Sequence, residues 1–202
     1  MRQFLYLSLL LGLFAPPIFA GERRKVIIDQ DAAGPGASNL QAILVLLQSP
    51  GVDTLGIGVV TGDQWRDEEL AHTLRLLEII GRTDIPVLPG AVFPLVHTRE
   101  EAVLDEQLYG KINYMGAWDP RWWHEPFVVP ASAVPEGMPT AKPSSEDAAH
   151  FMIRMVHQYP HQVTIVADDF YKPLFAKLSK LIFRFSDAVA IGQENFTGMH
   201  LN

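Results

Sequence analysis

The chain has 202 residues, a formal net charge of −7 and no cysteine. The acidic balance, without a basic cluster, excludes nucleic-acid backbones as partners, and the lack of cysteine excludes disulfide staples. About 180 residues follow the first twenty, which is enough for one domain with a sizeable core. We therefore expect residues 21–202 to form one domain.

The N-terminus has the pattern of a secretory signal. Arg2 precedes an apolar run over residues 4–14, and Ala20 supplies a small residue before a cleavage point. The run is shorter than the roughly 20 residues that span a bilayer. We predict a signal peptide over residues 1–20, a secreted or periplasmic protein, and no membrane association after cleavage.

The rest of the chain alternates apolar strand patterns with amphipathic helix patterns. Such alternation predicts an open, mainly parallel, Rossmann-like α/β sheet with helices on both faces. Strands are predicted at residues 26–29, 54–60, 85–88, 163–167 and 188–191, and helices at residues 40–48, 67–80 and 174–185, with a further helix capped by Ser144 or Ser145 that runs to about Tyr159.

The middle of the chain, residues 91–143, is rich in proline, glycine and aromatic residues. A long segment of this composition predicts a functional loop region rather than disorder. Its tryptophans, Trp118, Trp122 and Trp123, are expected to form either a lid packed on the core or a wall that stacks on a nucleobase.

Two carboxylates, Asp29 and Asp31, follow the first strand at the edge where open α/β sheets bind ligands. Adjacent acids repel unless a cation or a shared proton relieves their charge, so the pair favours a metal-assisted site. The alternative is that one acid only caps the following turn. Asp63 follows the second strand and has the same two interpretations.

Ser38 and Asn39 stand where the next helix begins. Either residue could be the N-cap of that helix. Alternatively, they provide neutral oxygen atoms to a cation or to a sugar hydroxyl.

Over most of its length the chain resembles the inosine/uridine-preferring nucleoside hydrolase family. The resemblance rests on Val26-Ile27-Ile28-Asp29-Gln30-Asp31, on residues 41–44 and 49–57, and on residues 59–63 and 81–90. It implies hydrolysis of the N-glycosidic bond of a ribonucleoside, with one Ca²⁺ that orients a water and the ribose. Family members often form oligomers, so the resemblance is also compatible with a homo-oligomer.

The resemblance implies roles for individual residues. Asp31 corresponds to the general base and metal ligand, while Asp29 and Asn39 correspond to metal-ligand positions. Ser38 and Asp63 fall at sugar-binding positions, and Tyr109 falls where the family has a histidine near the leaving group.

The chain also departs from the family pattern. Ser38 and Asn39 replace two acids, Tyr109 replaces the histidine, and the match is lost after about residue 167. We therefore expect a nucleoside-hydrolase-like domain that is truncated or divergent at its C-terminal end.

Two alternatives stay open. One is a non-catalytic descendant that binds a nucleoside or sugar. The other is a haloacid-dehalogenase-like, Mg²⁺-dependent phosphohydrolase with Asp29 as nucleophile, assisted by Thr61, Lys172 and the pair Asp168-Asp169.

Overall fold

A computed structural model describes residues 22–93, 98–111, 113–121, 124–168 and 189–191. The predicted signal peptide at residues 1–20 and the predicted helix at residues 174–185 lie outside these ranges. Among the described helices, none is both long enough and apolar enough to cross a membrane.

The predicted open parallel sheet is confirmed. Five strands pair in parallel in the order β3-β2-β1-β4-β5. Each of the five predicted strands is present, with ends that differ by a few residues. The strands are β1 (Arg24–Gln30), β2 (Val52–Val59), β3 (Val87–Pro89), β4 (Val163–Asp168) and β5 (Val189–Ile191).

Helices cover both faces of the sheet, as the sequence predicts. The described helices are α1 (Ser38–Gln48), α2 (Arg66–Ile79), α3 (Arg99–Tyr109) and α4 (Ala148–Gln158). Alternate residues of β1 face opposite sides: Val26 and Ile28 pack with leucines of α1 and α2, while Ile27 packs with Phe151 and Met152 of α4.

Two predicted helix caps are wrong. The N-cap of α1 is Ala37, which has no capping side chain, so Ser38 and Asn39 lie inside the first turn. Asp147 caps α4 by accepting a hydrogen bond from the His150 backbone N–H, instead of Ser144 or Ser145. Asp and Ser are similar N-caps, so propensity alone could not choose between them.

Helix α3 lies in the middle segment, where the sequence interpretation expected only loops. Thr98 and Glu101 form a capping box: the Thr98 hydroxyl accepts from the Glu101 N–H, and the Glu101 carboxylate accepts from the Thr98 N–H. The Thr-x-x-Glu spacing of this capping box is a local sequence signal for the start of a helix.

A long connection, residues 131–144, lies against α2 and returns the chain to α4. Glu78 of α2 accepts hydrogen bonds from the Thr140 N–H, the Thr140 hydroxyl and the Ala141 N–H, each at 2.7 Å. Further along, the Ser144 N–H donates to the Val87 carbonyl of β3 at 2.8 Å. The connection is therefore held to the body by backbone donors rather than by apolar packing alone.

Candidate active site

The strand order reverses at β1, which lies between β2 on one side and β4 on the other. Clefts of open α/β sheets form at the carboxyl ends of the strands beside such a reversal. Asp29 pairs in register with Gly58 and Ala167, and Gln30 with Val59 and Asp168. The acidic end of β1 therefore lies at the expected position of a ligand cleft, with the backbone of Asp168 next to it. Asp169 lies outside the described residues.

Asp29 is buried, with 7% of its surface exposed. It lies beside Gly58 of β2, where a side-chain carbon would be 2.8 Å from Asp29 Oδ1 and 3.2 Å from the Cβ of Ala148. Ala148 is the first residue of α4. Asp29 is thus near the positive end of a helix, which stabilises a carboxylate.

Asp31 follows β1 and is 5% exposed. Asn39 Nδ2 donates to Asp31 Oδ1 at 2.6 Å and more weakly to the Asp31 backbone carbonyl at 3.3 Å. The Ser38 hydroxyl in turn donates to Asn39 Oδ1 at 3.1 Å. The first turn of α1 therefore orients the Asp31 carboxylate through a short chain of neutral donors.

Asp63 lies in the turn after β2, next to Gly62, which packs directly on Asp31. Its Oδ1 accepts a hydrogen bond from the Tyr114 hydroxyl at 2.6 Å. Tyr114 is 51% exposed, yet desolvation of its hydroxyl and this hydrogen bond raise its pKa, to which the charges of Asp63, Asp31 and Glu69 also contribute. The structure therefore brings Asp63, Tyr114 and Asp31 into one electrostatic neighbourhood.

The structure thus brings five of the predicted site residues to one edge of the sheet: Asp29, Asp31, Ser38, Asn39 and Asp63. Tyr109 differs from them, because it is the last residue of α3 and is 85% exposed.

Tyr114 was not predicted as a site residue. Its contact with Asp63 spans 51 positions of sequence, and no local motif marks it.

An aromatic cluster covers the turn after β2. Trp65 is buried and packs edge-to-face with Trp118 at a centroid distance of 4.8 Å and with Phe93 at 6.0 Å. This packing agrees with the lid interpretation for Trp118. Trp122 and Trp123 lie outside the described residues.

A second polar cluster joins α2 to the segment that follows α3, and we call it the imidazole–carboxylate clasp. It consists of Glu68, His72, His124 and Glu136. His72 is 1% exposed, with Nδ1 2.5 Å from Glu136 Oε1 and Nε2 3.7 Å from Glu68 Oε1, and His124 Nε2 contacts Glu68 Oε2. The four-residue spacing of Glu68 and His72 predicts the contact between these two side chains, because residues four apart lie on the same face of a helix.

The pKa values of the clasp follow from these contacts. Burial opposes charge on both groups. Hydrogen bonds to Glu68 and Glu136 nevertheless raise the pKa of His72. Hydrogen bonds to His72 and His124 lower the pKa of Glu68 in the same way. These contacts favour the charged forms of both His72 and Glu68.

Asp29 and Asp31 offer carboxylate oxygens, which suit a hard cation such as Ca²⁺ or Mg²⁺ rather than a thiophilic metal. Asp29 and Asp31 fit such an ion by their chemistry. Asn39 fits after its amide rotates, because its nitrogen now faces Asp31. Across the described residues, no three His, Cys, Asp or Glu side chains converge in a group that could hold a metal. Two carboxylates and one amide are fewer ligands than Ca²⁺ takes, so a cation at this position would need further oxygen donors.

Sequence comparison assigns the chain to a protein family. A sequence model of the inosine-uridine preferring nucleoside hydrolase family matches residues 26–168. The chain belongs to this family, whose members generally depend on a metal ion. The family match sets aside the haloacid-dehalogenase-like alternative.

Individual relatives support the assignment. The chain is 31% identical over 142 residues to the pyrimidine-specific ribonucleoside hydrolase RihA of Citrobacter koseri. It is 29% identical over 147 residues to the protein named probable uridine nucleosidase 2 of Arabidopsis thaliana. These matches cover 70% and 73% of this chain but 38% and 39% of the relatives, so the chain spans about two fifths of their length.

Solved structures share the fold. A plant nucleoside hydrolase superposes with a TM-score of 0.56 at 24% identity, over 84% of this chain and 47% of that one. A purine-preferring ribonucleoside hydrolase from Gardnerella vaginalis superposes with a TM-score of 0.57 at 16% identity, over 84% and 48%.

Proposed function

We propose that this protein hydrolyses the N-glycosidic bond of ribonucleosides and releases free ribose and a nucleobase. The observation that carries the proposal is the position of Asp31: a buried carboxylate at the strand-order reversal, oriented by Asn39, inside the family-matched segment. Relatives named for pyrimidine nucleosides support this substrate class.

In the proposed reaction, Asp31 is the general base. It accepts a proton from the water whose oxygen bonds to the anomeric carbon, while the carbon–nitrogen bond breaks, its electron pair leaves with the nucleobase, and the nucleobase takes up a proton from solvent. Negative charge from Asp29 and Asp31 also favours the oxocarbenium-like transition state. Ser38 and Asp63 contact ribose hydroxyls, and Tyr109 stays a predicted contact near the leaving group.

The proposed cofactor is Ca²⁺, held by Asp29, Asp31 and Asn39. When bound, the ion supplies positive charge that orients the water and the sugar hydroxyls. A calcium requirement is supported by the all-oxygen donor set and by the general metal dependence of the family.

The direct test is release of free ribose from uridine and inosine by the purified chain with Ca²⁺ present. Asp31→Ala and Asp31→Asn are expected to reduce the rate by at least about a hundredfold, because general bases typically contribute that much. Asp105→Asn on α3 is the matched control, since it removes a carboxylate elsewhere. Equal rates for the wild type and Asp31→Asn would disprove the assigned role.

A binding protein without catalysis is the second candidate. It is favoured by the neutral side chains at Ser38 and Asn39, where an amide donates to Asp31 instead of an acid sharing a cation. Calorimetry separates the two candidates: nucleoside binding without ribose release, and without any Ca²⁺ requirement, would favour the binding protein.

We also propose that the protein is secreted or periplasmic, on the basis of the signal pattern in residues 1–20. N-terminal sequencing of the mature protein tests this, and an N-terminus at Gly21 is expected. Association into a homo-oligomer stays a prediction that sedimentation can check.

A further inference from the structure

Tyr114 reaches the candidate site from a distant part of the chain. Its hydroxyl donates to Asp63 Oδ1 at 2.6 Å, which is short for a hydrogen bond between neutral groups and typical of one to an anion. The contact holds one carboxylate oxygen of Asp63 at a defined position in the turn after β2.

The segment that carries Tyr114 is fastened to the same turn. The Ala117 N–H donates to the Gly62 carbonyl at 2.9 Å. Gly116 has φ +54°, and a side-chain carbon there would be only 2.2 Å from the Gly62 oxygen. This approach requires glycine both for the backbone angle and for the space.

The flanks of Tyr114 are held as well. Asp119 is 3% exposed and accepts hydrogen bonds from the Arg121 N–H at 3.0 Å and from Arg121 Nε at 2.8 Å. Arg121 Nη2 also donates to the Asn113 carbonyl at 3.0 Å. The backbone on both sides of Tyr114 is therefore set before a ligand arrives.

Asp63 and Tyr114 have complementary chemistry. An ionised carboxylate has no hydrogen to donate, so Asp63 and Asp31 repel each other without a hydrogen bond between them to offset the repulsion. An unconstrained Asp63 side chain would therefore rotate away from Asp31. The Tyr114 hydroxyl opposes that rotation and leaves the carboxylate able to accept a hydrogen bond from a hydroxyl group of a ligand.

We propose that Tyr114 is a positioning residue that holds Asp63 in the orientation that binds a ribose hydroxyl. The inference rests on the proposed function, because it takes the ribosyl group as the ligand. It adds a tyrosine of the middle segment to the sugar-binding side of the site, whereas Tyr109 stays the predicted contact near the leaving group.

The test compares Tyr114→Phe with Tyr159→Phe as the matched control. Tyr159 caps the C-terminal end of α4, and its hydroxyl accepts a hydrogen bond from Gln158. With uridine and Ca²⁺, Tyr114→Phe is expected to raise KM roughly tenfold or more, as loss of a charge-assisted hydrogen bond implies. The kcat is expected to change by less than about threefold.

A double-mutant cycle with Asp63→Ala separates positioning from a general structural effect. If Tyr114 acts through Asp63, adding Tyr114→Phe to Asp63→Ala leaves KM unchanged. Multiplying effects of the two changes would overturn the proposal, as would an unchanged KM in Tyr114→Phe or a larger KM effect from Tyr109→Phe.

Calorimetry with uridine keeps the test independent of catalysis and of folding defects. If the wild type binds uridine but releases no ribose, the proposed hydrolysis fails. Weaker binding by Tyr114→Phe would then still support Tyr114, and equal binding would overturn it. A wild type that binds no nucleoside overturns both.

If Tyr114→Phe loses its cooperative unfolding transition, Asp63→Asn replaces it as the test variant. The amide oxygen of that variant still accepts a hydrogen bond from Tyr114, so Asp63→Asn is expected to change KM less than Asp63→Ala.

Discussion

Gly62 lies against Asp31 so closely that a side-chain carbon at Gly62 would be 2.0 Å from Asp31 Oδ2 and 2.4 Å from its Cβ. The turn after β2 thus packs against the side chain of the proposed general base and limits where its carboxylate can lie. The position of the Asp31 carboxylate is therefore set by β1, which it follows, and by the turn after the neighbouring strand β2, which contains Gly62.

Gly62→Ala is expected to displace Asp31 and to destabilise the fold by about 1–3 kcal/mol, as overpacking does. Ribose release should fall with it, because the carboxylate moves. Denaturant unfolding and the ribose assay measure the two effects. Gly51→Ala is the control, since nothing lies within 4 Å of a side-chain carbon there. Comparable losses in both variants would contradict this reading of Gly62.

Asn39→Asp is expected to couple stability to calcium. Without metal, the change replaces a 2.6 Å amide–carboxylate hydrogen bond with two like charges, which should cost about 1–3 kcal/mol. Ca²⁺ should restore more stability to the variant than to the wild type, because a third carboxylate is available.

Thermal unfolding in EDTA and in Ca²⁺ measures this difference. Gln48→Glu adds the same charge at the exposed far end of α1 and serves as control. An Asn39→Asp protein that is destabilised equally with and without Ca²⁺ would argue against a cation at this position.

The clasp predicts a bell-shaped dependence of stability on pH. The pKa of His72 is raised above its ordinary value of 6.5, so its contribution is full below 6.5 and is lost as pH rises through the folded pKa. The pKa of Glu68 is lowered below 4.5, so its contribution is present above 4.5 and is lost as pH falls through the folded pKa.

The unfolding free energy measured against pH checks this. His72→Gln should flatten the decline on the alkaline side, whereas His150→Gln, at an imidazole that is 79% exposed, should leave it intact. An alkaline decline that persists unchanged in His72→Gln would rule out the clasp as its source.

Glu78 is expected to protect the 139–141 part of the connection. The Ala141 N–H, together with Thr140 and Arg75, lowers the pKa of Glu78 to about 2, so these hydrogen bonds should persist until pH falls well below 4.5. In Glu78→Ala, amide exchange at Thr140 and Ala141 should become faster, because both amides lose their acceptor. Glu146→Ala, which removes the carboxylate paired with Arg154, is the control. Unchanged exchange in Glu78→Ala would show that other contacts hold the segment.

Strands and the first two helices were predictable because their patterns are local. Buried β-branched runs, amphipathic spacing and a glycine after a helix each act within a few residues. Gly81 follows α2 with φ +69°, a backbone angle that favours glycine, and lets the Arg82 N–H reach the Leu77 carbonyl. Helix α3 was not predicted, although its capping box is a local signal, because the many proline, glycine and aromatic residues of the middle segment are typical of loops.

The candidate site was predictable only in part. Asp29, Asp31 and Asp63 follow strands of a parallel sheet, and the carboxyl ends of such strands meet at one edge. Whether Asn39 points its nitrogen or its oxygen at Asp31 depends on packing in three dimensions, as does the use of Ala37 as N-cap.

Sequence alone therefore determined the parallel sheet, the family and the edge at which the acids gather, because strand patterns and motif order are properties of neighbouring residues. Tertiary structure decided that Tyr114 contacts Asp63, that Gly62 packs on Asp31 and that Glu136 reaches His72. Each of these contacts joins residues more than thirty positions apart in the sequence, and the preferences of neighbouring residues do not determine which distant side chains meet.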